Sequence, residues 1–277
     1  MTNQPPVLSA EEVWRRYDRM EARLTAPLSE RMLDLAGIAT GMRVLDLATG
    51  RGEPAIRAAH RVGKTGSVFG VDLSESMLQM ARERETLEGI SNLKLRAMNV
   101  ELLDGIPIGH FHAALMRWGL MYLDSPVAAL SAVRRTLLPG GVFVAAVWGE
   151  PERVQYFTLP RLVLGRMASL PPIDMERPGT FRYSDVRHLQ HDFATAGFAI
   201  RQIEEMEVDV MEADSADKLI EWTRIFGLSR LLKDLPEEIQ QAWEAQMLIE
   251  AEGLRRNGVI RLNGMTRIVV ASTAGYP

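Results

Sequence analysis

The sequence predicts an α/β protein built on a doubly wound sheet of seven strands, the last of them antiparallel. Three observations carry this reading. Apolar, strand-like runs alternate with amphipathic stretches from Gly41 to Trp148, a glycine turn follows the first run, and each crossover is long enough for a parallel return.

Ser9 and Glu12 form a capping box ahead of a helix over residues 10–24, where Val13, Tyr17, Met20 and Leu24 recur at helical spacing. A second helix is expected at 28–36. Residues 44–47 read as the first buried strand and 53–62 as the helix after it. The second strand spans 67–72, and Ser74 caps a helix over 75–88. Strands at 93–98 and 111–117, a helix at 126–138 and a strand at 142–148 complete five parallel strands separated by helices. Further on, 184–196 is an amphipathic helix capped at Ser184 and closed by Gly197. Strands at 198–208 and 259–272 can pair antiparallel across an insertion.

Two segments break the rhythm, one helical and ending in Leu170-Pro171-Pro172, the other carrying two acid-rich helices separated at Asp234-Leu235-Pro236. The expected organisation is a helical cap (1–40), a ligand-binding core (41–149), a first insertion (150–183), a core helix and strand (184–208), a second insertion (209–258) and a last strand with its tail (259–277). Cap and insertions are expected to form a lid over an enclosed pocket.

Composition narrows the chemistry. The 277 residues carry a formal charge of −4, which argues against nucleic acid as a partner. Zero cysteines excludes disulfides, thiolate nucleophiles and cysteine-ligated metals, and five scattered histidines with no HExxH spacing give no metal site. No run approaches the roughly 18 apolar residues of a membrane span, and the start lacks a signal-peptide pattern, so a cytoplasmic location is expected. Oligomeric state stays open, a homo-oligomer included.

The run Val44-Leu45-Asp46-Leu47-Ala48-Thr49-Gly50-Arg51-Gly52-Glu53-Pro54-Ala55 sets a Gly-x-Gly turn between strand and helix, where a ligand can approach the backbone closely. Gly50-x-Gly52-x-x-Ala55, with Asp72 about twenty residues on, also fits a relaxed dinucleotide fingerprint. Asp46 separates the two readings. A carboxylate beside the turn disfavours a pyrophosphate and suits a cationic ligand.

Together with Val71-Asp72-Leu73-Ser74, Asn99-Val100-Glu101 and Leu137-Leu138-Pro139-Gly140-Gly141, this run resembles the class I S-adenosylmethionine (SAM)-dependent methyltransferases, and more narrowly the ubiquinone/menaquinone C-methyltransferase-like group of small-molecule enzymes. The resemblance implies a Rossmann-like fold with SAM as cofactor. It implies that Gly50 and Gly52 pass under the methionyl part, with Asp46 and Ala48 beside it. Asp72 would hold the ribose hydroxyls, Leu73 and Met77 would flank the adenine, and Asn99 and Val100 would border it, the Asn99 oxygen accepting from the adenine amino group. Tyr17, in Tyr17-Asp18-Arg19-Met20, is similar to a Tyr-Asp-x-Met element that closes over the SAM carboxylate. Where quinone enzymes carry Phe-Gly-Leu-Arg-Asn, this chain has Trp118-Gly119-Leu120-Met121-Tyr122, which points away from a quinone ring.

Ligands of open α/β sheets sit beyond the carboxyl ends of the strands, which places His60, His110 and His112 on the wrong face. Arg117 and Tyr122, at the end of the fourth strand, are the expected acceptor contacts, Arg117 also reaching the cofactor; Tyr183 and His188 are expected at the same mouth, His188 as a proton acceptor. The expected activity is methyl transfer to a small, rather apolar acceptor at oxygen or carbon, natural-product or quinone-like. The alternatives are a SAM-bound cyclase-type enzyme that transfers no methyl group, a nicotinamide-dependent dehydrogenase, and an adenosine-binding regulatory module.

Overall fold

The computed structural model describes residues 10–226 and 228–273, so Ser9 of the expected capping box lies outside the described residues. In chain order the helices are α1 (Ala10–Leu24), α2 (Ala26–Leu35), α3 (Ala55–Val62), α4 (Glu75–Leu87) and α5 (Pro126–Thr136), then α6 (Gln155–Gly165), α7 (Val186–Thr195), α8 (Ala216–Phe226), α9 (Ser229–Lys233) and α10 (Glu237–Gly253). The chain divides into two compact units.

The larger unit comprises residues 26–150, 174–206 and the chain from Met265. Its sheet is made of β1 (Arg43–Leu47), β2 (Ser67–Asp72), β3 (Leu93–Ala97), β4 (Phe111–Arg117), β5 (Leu137–Trp148), β6 (Phe198–Ala213) and β7 (Ile260–Thr273), in the order β3-β2-β1-β4-β5-β7-β6. The first five run parallel, and β7 lies antiparallel to β5 with Trp148 opposite Thr266. Strand order reverses between β1 and β4, so the ligand crevice of such a sheet falls at their carboxyl ends, beside Leu47 and Arg117. β1 is central and covered on both faces, which is why Val44, Leu45 and Leu47 are all fully buried, with Asp46 between them.

The structure corrects several elements. No helix fills the crossover between β3 and β4. β5 begins at Leu137, upstream of Pro139-Gly140-Gly141, because Phe111 pairs with Leu137 before the register resumes at Ala113 and Val142. The cap of α7 is Asp185, whose side chain accepts from the Arg187 amide, and not Ser184.

The carbonyl of Ser184 serves another purpose. Arg267, on β7 and only 3% exposed, donates through Nη1 to the carbonyls of Tyr183 and Ser184, both at 3.0 Å, and through Nη2 to Glu150 and Glu205. A buried guanidinium survives only if paired and hydrogen-bonded in this way.

The smaller unit comprises described residues up to Thr25, with 151–173 and 207–264. The two segments that interrupt the sheet therefore join α1 in one body, while 174–183 belongs with the larger unit. Between β6 and β7 the acid-rich segment forms three helices, α8, α9 and α10. α8 lies against α1 and α10, and α10 against α6. Each buried indole N–H finds an acceptor, Trp222 in the Tyr156 hydroxyl at 2.6 Å and Trp243 in the Pro160 carbonyl at 3.0 Å. Among the described residues no helix is long and apolar enough to cross a membrane.

Replacing Arg267 by Met is expected to lower the unfolding free energy by roughly 3–5 kcal/mol, the range for removing one partner of a buried ion pair. Urea unfolding measures it. A loss below about 1 kcal/mol would place the guanidinium in a solvated role instead.

Candidate active site

The loop after β1 is tied to the end of β2 by one carboxylate. Asp72 Oδ2 accepts from the Gly50 amide at 2.8 Å and Oδ1 from the Ser74 amide at 2.9 Å, while the Ser74 hydroxyl caps α4 through the Met77 amide at 3.3 Å. These bonds aim the remaining lone pairs of a half-buried carboxylate past the strand end. Leu73 beside it is 69% exposed and Met77 half-buried. An exposed leucine next to an oriented carboxylate suits a nucleoside, an apolar base beside a polar sugar.

The two glycines do different work. Gly50, at φ +53°, has nothing within 4 Å of where a Cβ would stand, so the chain there is open to close approach. At Gly52, φ +90°, a Cβ would stand 2.8 Å from Ile56 and 3.3 Å from Ala81. Its missing side chain lets α3 and α4 close on the loop. Ala48 takes a left-handed conformation at φ +50°, and a Cβ on Gly119 would stand 2.6 Å from its methyl group. The ends of β1 and β4 meet at that pair.

Asp46 lies beneath this loop and is fully buried. Its Oδ2 accepts from the Thr49 hydroxyl at 2.5 Å, and its Oδ1 has no hydrogen-bond partner. Burial pushes the carboxyl up to about 7, against the opposing pull of the Thr49 hydrogen bond, the Arg117 charge and the nearby Ala55 amide. An orphaned carboxylate oxygen beneath an open loop fits a cationic group and repels a phosphate.

Arg117 leaves the end of β4 with its guanidinium 5.0 Å from the centre of the Trp118 ring and Nη1 3.4 Å from the Ser29 hydroxyl. Trp118 is itself left-handed at φ +55°, a rare conformation for a bulky residue. Its ring stacks on Trp148 at 4.3 Å, and its indole donates to Thr266 at 3.1 Å. Tyr122, 50% exposed, meets the Thr180 hydroxyl at 3.2 Å.

Other expected residues stand elsewhere. Tyr183 is fully buried and its hydroxyl donates to Asp192 at 2.7 Å; burial and that carboxylate raise its pKa, so it neither reaches a mouth nor acts as a base. His188 is exposed on the first turn of α7, with no packing that would orient its ring. The Asn99 side-chain oxygen already accepts from the Glu101 amide at 2.8 Å, and Val100 is buried. Tyr17 belongs to the helical unit, its hydroxyl 3.4 Å from Glu221 and its ring edge-on to Trp222. His112 and His110 lie at the start of β4, His112 Nδ1 accepting from the Arg43 amide at 3.0 Å. Thr49, Ser29 and Thr266 were not singled out in the sequence. Only Thr49 carried a signal, sitting three residues after Asp46 within the motif. No cluster of three metal-ligating side chains occurs among the described residues.

Comparison with known proteins adds a sequence relationship to this geometry. Residues 38–157, which carry the loop, Asp72 and Arg117, match the family model described as a methyltransferase domain. Among curated proteins, the chain is 31% identical to aklanonic acid methyltransferase of a Streptomyces species over 56% of its own length and 65% of that protein's. It is 34% identical to the ubiquinone/menaquinone biosynthesis C-methyltransferase of Shewanella pealeana over 50% of its length and 57% of that protein's. The chain thus spans about half to two thirds of the relatives it matches. Solved structures with the same fold include a Bacillus halodurans protein, 19% identical over 89% of this chain and 98% of that one with TM-score 0.58. A SAM-dependent methyltransferase of Aquifex aeolicus, 21% identical, covers 68% of this chain and 90% of that one with TM-score 0.52.

The raised Asp46 pKa sets a sign. The folded value of about 7 lies above the roughly 3.9 of an unfolded aspartate, so the folded state binds more protons between these values and loses stability as pH rises through them. Asp46→Asn is therefore expected to be more stable than the wild type at neutral pH and above, by an amount of the order of a few kcal/mol, with the gap closing toward pH of about 4. Thermal unfolding across pH tests this. A variant less stable at every pH would mean that the carboxylate is stabilised by partners and not penalised by burial.

Proposed function

We propose that the protein is a SAM-dependent methyltransferase that acts on a small, rather apolar organic acceptor, methylating oxygen or carbon. The observation that carries this reading is the Asp72 carboxylate, held by the Gly50 and Ser74 amides at the end of β2, within the stretch that matches the methyltransferase-domain model. Two features support a cationic cofactor over a nicotinamide dinucleotide. Asp46 lies below the loop with one oxygen unpartnered, and its carboxylate, at the place where a dinucleotide would set its pyrophosphate, would repel that group.

SAM supplies a methyl group already activated by its sulfonium, with a neutral thioether as the leaving group. In this reading the chain's own groups bind and orient. Asp72 accepts the ribose hydroxyls, Leu73 and Met77 flank the base, and the open backbone at Gly50 admits the methionyl part. Asp46 faces the cationic end. Arg117, steadied by Trp118 and Ser29, and Tyr122 border the acceptor beyond β4. Donor activation leaves the protein mainly orientation and exclusion of water to supply. The names of the two curated relatives, an aklanonic acid methyltransferase and a ubiquinone/menaquinone biosynthesis C-methyltransferase, support an acceptor of the natural-product or quinone-like kind. The net charge of −4 favours a small molecule over a nucleic acid.

Calorimetry with SAM and with S-adenosylhomocysteine should show binding of both, weakened in Asp72→Ala by roughly 1.5–3 kcal/mol, the worth of hydrogen bonds to a charged acceptor. Unchanged binding in that variant would remove the ribose assignment.

SAM affinity should also rise with pH through about 7 as Asp46 ionises, and should lose that dependence in Asp46→Asn. A pH-independent wild type would remove Asp46 from the cofactor.

Incubation with methyl-labelled SAM and a panel of phenols, quinones and polyketide-like acids tests the reaction itself. Label in the product supports transfer. Conversion of an acceptor without label would identify a cyclase-type enzyme.

A further inference from the structure

The glycine loop is gripped from a second side, by a residue that no motif contains. Arg84, on the third turn of α4, donates through Nη1 to the carbonyl of Arg51 at 3.2 Å and through Nη2 to Glu53 Oε1 at 2.9 Å. One guanidinium thus holds the chain on both sides of Gly52. Glu53 is only 6% exposed, and its other oxygen accepts from Arg57 Nε at 3.1 Å. Arg57 continues to Glu30 on α2 at 3.1 Å, and Glu30 also pairs with Arg61. The loop is therefore anchored to α2, α3 and α4 together.

We propose that Arg84 is a positioning residue for the cofactor: its fork fixes residues 50–53 against α4, and that fixed loop sets the affinity for SAM. The proposal rests on the reading that this loop receives SAM. Its physical basis is the fork itself. A planar guanidinium that donates to a carbonyl and a carboxylate at once specifies an orientation, which the point charge of a lysine does not. Gly50 and Gly52 sit at φ +53° and +90° and have wide conformational freedom of their own. A ligand that met a loose loop would have to order it on binding, and would bind more weakly for that reason.

α4 is also the helix whose first turn carries Ser74 and Met77. Asp72 ties the loop to the start of that helix, and Arg84 ties it two turns further along, so loop and helix move as one piece. The atoms nearest a Cβ on Gly52 belong to Ile56 and Ala81, so apolar packing at the loop does not itself involve Arg84 or Glu53. Changing both of them together reads positioning apart from stability.

The test uses the full chain and three variants: Arg84→Met, Arg84→Lys and the double change Glu53→Met with Arg84→Met. Calorimetry with SAM and S-adenosylhomocysteine is run at low temperature, where circular dichroism shows each variant folded. Amide hydrogen exchange at Gly50 and Gly52 is followed without ligand. Arg84→Met is expected to weaken both ligands about ten- to a hundredfold and to speed exchange in the loop. Arg84→Lys should recover only part of the affinity. The double variant, which no longer leaves a buried carboxylate short of a partner, should recover thermal stability without recovering affinity or slow exchange.

Affinity within about twofold of wild type in the double variant would overturn the proposal, and so would loop exchange unchanged in Arg84→Met. Failure of the wild type itself to bind SAM overturns the cofactor reading instead. The grip on the loop is then judged by the ligand-free exchange alone.

Discussion

One carboxylate holds the ligand end of this sheet together. Asp72 accepts from Gly50 on one side and Ser74 on the other, so the loop after β1, the end of β2 and the start of α4 share a single acceptor. Hydrogen bonds to an ionised group are about twice as strong as neutral ones, and here both donors are backbone amides that would otherwise stay unsatisfied near a strand end. In the proposed function the same atoms that fix the loop also receive the ribose. Structural and ligand-binding roles therefore cannot be assigned to separate residues at this position.

Asp46 has the opposite character. It is buried at the centre of the sheet with one oxygen unpartnered, in a place where a leucine would stabilise the fold at less cost. Nearby, Ala48 and Trp118 hold left-handed backbone conformations that glycine would adopt without strain. Buried charge and backbone strain thus gather at the switch point between β1 and β4, where a sheet of this type binds its ligand. In the proposed function a cationic cofactor offsets the first of these costs.

The sequence revealed local features well and long-range ones poorly. The bounds of β2 and β4, Ser67–Asp72 and Phe111–Arg117, could be read from their apolar runs, because turn residues and charged neighbours punctuate both ends. The start of β5 could not, since Pro139-Gly140-Gly141 reads as a turn yet lies within a strand whose pairing slips past it. Asp72 and Gly50 were legible because motif spacing after a strand fixes where both fall. Arg84 and Glu53, 31 residues apart, and Trp118 and Thr266, 148 apart, obey no spacing rule; only the packing of α4 on the loop and of β7 on β5 brings them together. Tyr183 was misplaced for a related reason. Its position in the chain suggested the mouth, but Arg267 draws its carbonyl inward and Asp192 takes its hydroxyl.

In the proposed function the loop, Asp72 and Asp46 form the seat of one nucleoside cofactor with a cationic tail. A crystal structure of the protein grown with S-adenosylhomocysteine tests it most directly. Both ribose hydroxyls are expected on the Asp72 carboxylate, the base against Leu73, and the amino-acid end over Gly50 toward Asp46. A nucleoside bound elsewhere on the sheet, or bound with Asp72 turned away from its sugar, would contradict it.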